Sequence, residues 1–326
     1  MKAILVKESG KAENLKIVEY QKPEPKEGFV IVKNKAFGIN RAEIYMRKGE
    51  WGETHDIIGI EFVGIVDNDP SNTFEKGQKV VSFVGGLARD YGGSYAEYIS
   101  VPLEYLIPIK SNLPWNELAA IPETYATAWA VLNWGLQAKI GQSILVRGGT
   151  SSVGLASIIL AKQMGLTVFA TSRSEEKFSI LKHYGADYTI LDNGKISKEV
   201  RAISANGITN VIELIGNVTL EDSLACVETN GNICIAGFLG GLMPLDNFMP
   251  LMQIPSTVKL TSFGSAFVFG NKDFPYSKIP MQKIITDIEN KLIPNILTKT
   301  YEFNEIVEAH KLMESNKVNG KIVVTV

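Results

Sequence analysis

Cysteine and histidine are nearly missing from this chain of 326 residues: Cys226 and Cys234 are its only cysteines, and His55, His183 and His310 its only histidines. A structural zinc site of four thiolates is therefore impossible, and no CxxC, HExxH or other closely spaced ligand set occurs. A catalytic zinc would have to be gathered from scattered imidazoles and carboxylates. Excess charge is lacking too: 33 Lys and Arg against 35 Asp and Glu leave a net charge of −2. Without a basic cluster the footprint of a nucleic-acid binder is absent, and such binding is disfavoured. No apolar run approaches the ~18 residues of a membrane span, and the opening MKAILVKESG is too poor in apolar residues for a signal peptide. The expectation is a soluble, cytoplasmic protein. What is present is ordinary globular material, 45% hydrophobic and 21% charged. The length exceeds the ~100–200 residues of one domain.

Three zones read differently. Residues 1–118 carry short strand-like runs, such as Phe29-Val-Ile-Val32 and Val80-Val-Ser-Phe83, broken by Gly, Pro and Asn/Asp. That pattern predicts a mostly β domain with the tight corners of a partly open barrel. Over residues 119–265 the period changes. Strand-like Ile144–Val146, Thr167–Ala170, Tyr188–Leu191, Asn210–Ile215 and Ile233–Phe238 alternate with helical stretches near 153–164, 174–183, 196–205 and 219–227. Such alternation predicts a doubly wound parallel sheet. Residues 266–326 add helices near 279–291 and 304–315 and a last strand, Lys321–Val326, expected to return to the first domain. The fold class expected is therefore α/β: a β-barrel domain with an inserted doubly wound (Rossmann) domain.

The densest chemistry lies in Ser143-Ile-Leu-Val-Arg-Gly-Gly-Thr-Ser-Ser-Val-Gly-Leu-Ala156. It joins a strand to a helix, where free N–H groups and the helix dipole attract a pyrophosphate. The fingerprint GxGxxG falls on Gly149, Thr150, Ser151, Ser152, Val153 and Gly154, with Ser151 replacing the middle glycine. Ser151 must either tolerate the local dihedrals or use its hydroxyl as a donor. The plain alternative is a tight turn without a ligand. At the tip of the next strand an acid would hold the ribose 2′-hydroxyl of NAD. Here stand Ser172 and Arg173, with Lys177 one turn later, a hydroxyl and two cations suited to a 2′-phosphate. NADPH is the cofactor these residues favour; the alternative reading is a solvated Arg173 beside the helix cap Ser174-Glu-Glu.

Taken in order, Phe37-Gly-Ile-Asn-Arg-Ala-Glu-Ile-Tyr-Met-Arg-Lys-Gly49, Gly59-Ile-Glu-Phe-Val-Gly64, Gly77-Gln-Lys-Val80, Gly93-Ser-Tyr-Ala-Glu-Tyr98, Thr127-Ala-Trp129, the glycine-rich turn, Gly231-Asn-Ile-Cys-Ile-Ala-Gly237 and Gly320-Lys-Ile-Val-Val324 resemble a known family. It is the medium-chain dehydrogenase/reductase superfamily, in its zinc-independent quinone oxidoreductase (ζ-crystallin-like) branch. The resemblance covers nearly the whole chain and implies a GroES-like barrel domain, an inserted Rossmann domain and an active site in the cleft between them. It carries Asn40, Tyr45 and Thr127 over to the nicotinamide and substrate end, and places Gly237 and Phe238 with the cofactor. Where the zinc-containing relatives carry Cys and Gly-His-Glu, this chain has Asn40 and Gly59-Ile60-Glu61. The third ligand position falls near Glu123-Thr124, also without Cys. Glu61 is then expected to be a structural carboxylate. In the quinone reductase branch a Tyr often meets the 2′-phosphate after the third strand; the matching place here is Asp192, which does not help bind an anion.

Without zinc to polarise an alcohol, acceptors that already take hydride are favoured: a quinone or an α,β-unsaturated carbonyl. Asn40 and Tyr45 are the candidate catalytic donors to the developing oxyanion, although either residue could be purely structural. Trp51, Tyr125, Phe238, Phe263 and Phe267 are candidates to shape a flat pocket, of which only two or three should touch substrate. The cysteines read as packing thiols, and the histidines as surface or capping residues. The nearly uncharged, strand-like Leu260–Gly270 predicts a homodimer joined at a sheet edge. Two other readings stay open: an alcohol dehydrogenase with an unusual metal, and a non-catalytic NADPH-binding regulatory or structural protein.

Overall fold

The computed structural model describes residues 1–326. Two compact units divide the chain, one of residues 1–126 with 266–326 and one of residues 127–265. In the first, the strand Phe29–Ile39 lies at the heart of a seven-stranded sheet. It pairs antiparallel with Glu61–Asn68, Tyr98–Pro102 and Lys321–Thr325. Register shifts after Ile31 and Asn34 mark bulges, which bend a strand and sharpen its twist. The C-terminal strand sets Ile322 opposite Ile39, so Lys321 enters the sheet beside the helix Arg41–Lys48 that follows Ile39. Val30, Val32, Phe37, Ile39, Phe62 and Val63 are wholly buried. This is a GroES-like unit.

The second unit holds six parallel strands. Their spatial order is Tyr188–Leu191, Thr167–Ser172, Ser143–Arg147, Ile208–Glu213, Val227–Ile235 and Lys259–Ser262. Strand order reverses between Ser143–Arg147 and Ile208–Glu213, and in open α/β sheets ligands bind at that switch, beyond the carboxyl ends of the strands. Ile144, Leu145 and Val146 are all buried, as expected of a parallel strand covered on both faces. Leu145, Phe169, Ile190, Val211 and Ile233 pack with Val200, Leu220 and Leu224 of two helices into one cluster. Both expected architectures are therefore present, a GroES-like unit and a Rossmann sheet.

Some expectations need correction. The strand Lys259–Ser262 takes in only the first three residues of the Leu260–Gly270 segment; Ser265–Val268 is a helical turn, and Gly270 takes a φ of +91°. Absence of charge marked an apolar run there, but the glycines at 264 and 270 interrupt it. The strand expected at Ile233 begins at Val227, directly after the helix Leu220–Cys226. His310 is not at the surface. It is fully buried, its Nε2 lies 2.8 Å from the Tyr95 hydroxyl, and burial together with nearby Arg47 pushes its pKa down to about 3. Its neighbours on the apolar face of the helix, not its polarity, decided its place. Of the pocket candidates, Tyr125 and Phe263 are core residues, Tyr125 being wholly inaccessible, whereas Phe267 is 68% exposed.

Candidate nucleotide cradle and buried polar cluster

The glycine-rich turn is shaped by contacts that leave no room for side chains. Gly148 takes a φ of +85°, a left-handed conformation that glycine adopts without steric cost. A Cβ on Gly154 would overlap the carbonyl oxygen of Gly148 and lie 2.7 Å from that of Gly149. Ser151 answers the question its sequence position raised. Its φ of −72° and ψ of 164° are ordinary extended values, and its hydroxyl accepts from the Gly154 N–H at 3.1 Å while donating to the Gly148 carbonyl at 2.8 Å. It is thus the N-cap of the helix Ser152–Gln163, and its proton is directed into the turn. Ser152 and Val153 open that helix, so no carbonyl inside it receives their N–H groups. Thr150, half-buried, precedes the cap.

Arg173 is exposed and Lys177 half-buried, and the side chain of neither enters a hydrogen bond or ion pair within the chain. Ser172 is buried; its hydroxyl oxygen accepts from the Ser174 N–H at 3.2 Å, which leaves the hydroxyl proton to donate. A cradle that a Cβ would fill, two uncommitted helix N–H groups and two uncommitted cations fit the diphosphate and 2′-phosphate of NADPH. Gly237 packs against Leu214, whose carbonyl oxygen would lie 2.7 Å from an added Cβ, and Phe238 is half-buried beyond it. Thr127 is buried in the helix Pro122–Ala130.

Beneath the turn lies a network that sequence reading missed. The fully buried Arg147 donates from Nε and Nη2 to the two Asp192 oxygens at 2.9 Å each. Its Nη1 donates to Asp222, at 2.9 Å, to the Ser223 hydroxyl, at 2.9 Å, and to the Thr219 carbonyl, at 3.2 Å. Thr171 links this network to the turn: its hydroxyl donates to Asp192 at 3.2 Å and accepts from the Gly148 N–H at 3.1 Å. Burial opposes the Asp192 charge, yet Arg147 holds its carboxyl below the usual range. Glu213, pushed up by burial, accepts from the Ser223 hydroxyl and from the N–H groups of Ile215 and Gly216. The available signal was a lone cation ending an otherwise apolar strand, Ile-Leu-Val-Arg.

The first unit holds a second polar cluster. Asn40 caps the helix Arg41–Lys48 in a box with Glu43, whose carboxylate accepts the Asn40 N–H at 2.7 Å and the Ile60 N–H at 3.1 Å. The Asn40 amide donates to Glu61 at 2.9 Å and to Glu43 at 3.4 Å, and its oxygen accepts from Lys321 Nζ at 2.5 Å. Lys321 and Glu61, both wholly buried, form an ion pair at 2.5 Å. The other Glu61 oxygen accepts the Glu123 N–H at 2.9 Å. Both amide protons of Asn40 therefore point to carboxylates, which limits what it offers a substrate. Tyr45, on the same helix, stacks on Trp51 at 6.5 Å and 15°, and Trp51 on Phe267 at 6.4 Å and 8°. Burial raises the Tyr45 pKa, keeping its hydroxyl protonated.

Burial raises the Glu43 pKa to about 7, against the opposing influence of Lys321 and of the N–H groups of Glu43 itself and Ile60. Folded protein then holds this proton over a pH range in which the unfolded chain, near 4.5, has lost it. The contribution is fully present below about pH 4.5 and disappears as pH rises through about 7. We expect unfolding free energy to fall by up to ~3 kcal/mol across that window. Denaturant titrations at several pH values should show this slope flattened in Glu43→Gln. The Gln amide, facing an N–H donor, also lowers stability at every pH. An unchanged slope would assign the proton elsewhere.

Cradle, strand order and barrel unit together define a dinucleotide-binding oxidoreductase class. The Alcohol dehydrogenase GroES-like domain family matches residues 26–111 and the Zinc-binding dehydrogenase family residues 152–279. The chain belongs to the medium-chain dehydrogenase/reductase superfamily. It is 26% identical to the human quinone oxidoreductase over 99% of this chain and 97% of that one. Among solved structures, mycobacterial Rv1454c complexed with NADPH superposes with a TM-score of 0.87 at 24% identity, covering all of both chains. An NAD-dependent alcohol dehydrogenase does so at 0.86 and 26%, also over all of both chains.

The zinc in the second family's description does not fit these residues. No group of three or more His, Cys, Asp and Glu side chains is arranged so that it could hold a metal ion. At the positions expected to correspond to ligands, Asn40 and Glu61 are already bonded to the ammonium of Lys321, a cation in place of a donor set.

Proposed function

We propose that this protein is an NADPH-dependent, zinc-independent reductase that delivers hydride to a quinone or an α,β-unsaturated carbonyl. The observation that carries the reading is the pair of uncommitted cations, Arg173 and Lys177, beside the Ser172 hydroxyl at the strand tip that selects between dinucleotides. The human quinone oxidoreductase relationship supports the acceptor class, and the NADPH-bound neighbour supports the cofactor. The alcohol dehydrogenase neighbour carries less weight, because Asn40 and Glu61, at the positions expected to correspond to metal ligands, are already bonded to Lys321.

NADPH supplies the hydride from C4 of its nicotinamide; this chain's residues do the rest. Ser152 and Val153 N–H groups hold the diphosphate, with Gly149 and Gly154 permitting close approach. Ser172, Arg173 and Lys177 hold the 2′-phosphate. Thr127, Gly237 and Phe238 flank the nicotinamide half. Tyr45, kept protonated by burial, is the better of the two candidate donors to the oxygen on which charge develops. Asn40 fixes the helix that presents it. The stacked Trp51 and Phe267 offer a flat apolar wall to a planar acceptor.

The test is a titration with NADPH and NADH, followed by Arg173→Asp and turnover with 1,4-benzoquinone or a 2-alkenal. Wild type should prefer NADPH, and the charge reversal should weaken it by roughly 100-fold while leaving NADH nearly unchanged. Equal wild-type affinities would sink the NADPH assignment. We also propose a homodimer through the exposed edge strand Lys259–Ser262, which sedimentation showing a monomer at micromolar concentration would refute.

A further inference from the structure

We propose that Arg147 sets the cofactor preference of this chain by sequestering the carboxylate of Asp192. The inference rests on the NADPH reading above and deepens it. Asp192 directly follows the strand Tyr188–Leu191, and its own N–H bonds to the Ser172 carbonyl at 2.8 Å. It therefore stands at the strand tips beside Ser172, next in sequence to Arg173. A free carboxylate so close to Ser172 and Arg173 would accept hydroxyl donors and repel a 2′-phosphate.

Here that carboxylate is fully occupied. Oδ1 accepts from Arg147 Nη2 at 2.9 Å and from the Gly194 N–H at 3.0 Å; Oδ2 accepts from Arg147 Nε at 2.9 Å and from the Thr171 hydroxyl at 3.2 Å. Four donors fill the acceptor sites that a carboxylate has, and the guanidinium, which it shares with Asp222, offsets its charge. Arginine suits the task because its planar fork meets both oxygens at once, which a lysine cannot do. Asp222, Ser223 and the Thr219 carbonyl fix the remaining arm, so Arg147 cannot swing away. A carboxylate beside the residues that would hold the 2′-phosphate is thus present and silenced. Arg147 acts here as a positioning residue.

A purely structural arginine would, on removal, weaken both cofactors alike, and neutralising Asp192 would repair nothing. The experiment measures dissociation constants for NADPH and NADH, by nucleotide fluorescence, in wild type, Arg147→Leu, Arg147→Lys, Asp192→Asn and the Arg147→Leu/Asp192→Asn double variant. Circular dichroism checks that each is folded. Arg147→Leu should shift the affinity ratio toward NADH by roughly tenfold or more, as expected of an unpaired carboxylate facing a phosphate. Asp192→Asn alone should keep or raise the NADPH preference, and the double variant should return the ratio to within about threefold of wild type. Equal losses for both cofactors in Arg147→Leu, or no recovery in the double variant, would overturn the inference. If Arg147→Leu does not fold, Arg147→Lys with and without Asp192→Asn makes the same comparison. A wild type without NADPH preference would count against the underlying cofactor reading; the ratio change between variants still reports on Arg147.

Discussion

Replacement of Lys321 by Met should lower the unfolding midpoint of the first unit by roughly 5–15 °C. Lys321 and Glu61 are wholly buried partners at 2.5 Å, and removing one member leaves the other charge in a medium that cannot solvate it, a loss of about 3–5 kcal/mol. Asn40 loses the donor to its carbonyl oxygen in the same step. Gly38 shows how closely the pair is packed: an added Cβ there would lie 2.9 Å from Glu61 Cδ and nearer still to Lys321 Cε. Met keeps most of the Lys volume, so the effect reads charge rather than cavity. Replacing both members, Lys321→Met with Glu61→Leu, should recover much of the loss, since a buried ion pair is often matched by apolar residues of similar size. Calorimetry on the two variants beside wild type decides it; a Lys321→Met midpoint within about 2 °C of wild type would show that the pair contributes little.

The second large effect is expected at Gly154. Val in that position directs a branched side chain at the carbonyl oxygens of Gly148 and Gly149, which belong to backbone and cannot rotate aside. The helix Ser152–Gln163 must then withdraw from the turn, at a cost of roughly 1–3 kcal/mol in overpacking. More consequential is the displacement of the Ser152 and Val153 N–H groups. Misplacement on the order of 1 Å is worth about 100-fold where several groups must converge, and NADPH affinity should fall by that order. The capping bond from Gly154 N–H to Ser151 is strained in the same movement. Nucleotide titration alongside a thermal melt separates the two consequences. An affinity within about threefold of wild type would mean that the diphosphate binds elsewhere.

How much of this was legible can be argued from individual elements. The alternation of apolar runs with helical periods placed Ile144–Val146, Thr167–Ala170 and Tyr188–Leu191 inside observed strands, because a buried parallel strand shows its environment in its own residues. The terminal Lys321–Thr325 strand was visible for the same reason. His310 misled because a helical period identifies an apolar face but not the partner that accepts an imidazole on it. In Leu260–Gly270 low charge resembled a strand, although glycine spacing had already limited its length.

The candidate residues divide in the same way. Ser151, Ser172 and Arg173 owe their significance to one local event, a strand turning into a helix, and local events are written in consecutive residues. Asn40 and Lys321 are 281 positions apart, Arg147 and Asp192 are 45 apart, and nothing in either neighbourhood names the other. Sequence alone therefore determined the two architectures, the glycine-rich turn and the poverty of metal ligands. Tertiary structure alone decided that a lysine faces Glu61 and that Asp192 is held by an arginine. A buried charge is tolerable only beside its counter-charge, and chain closure, not sequence proximity, brings the two together.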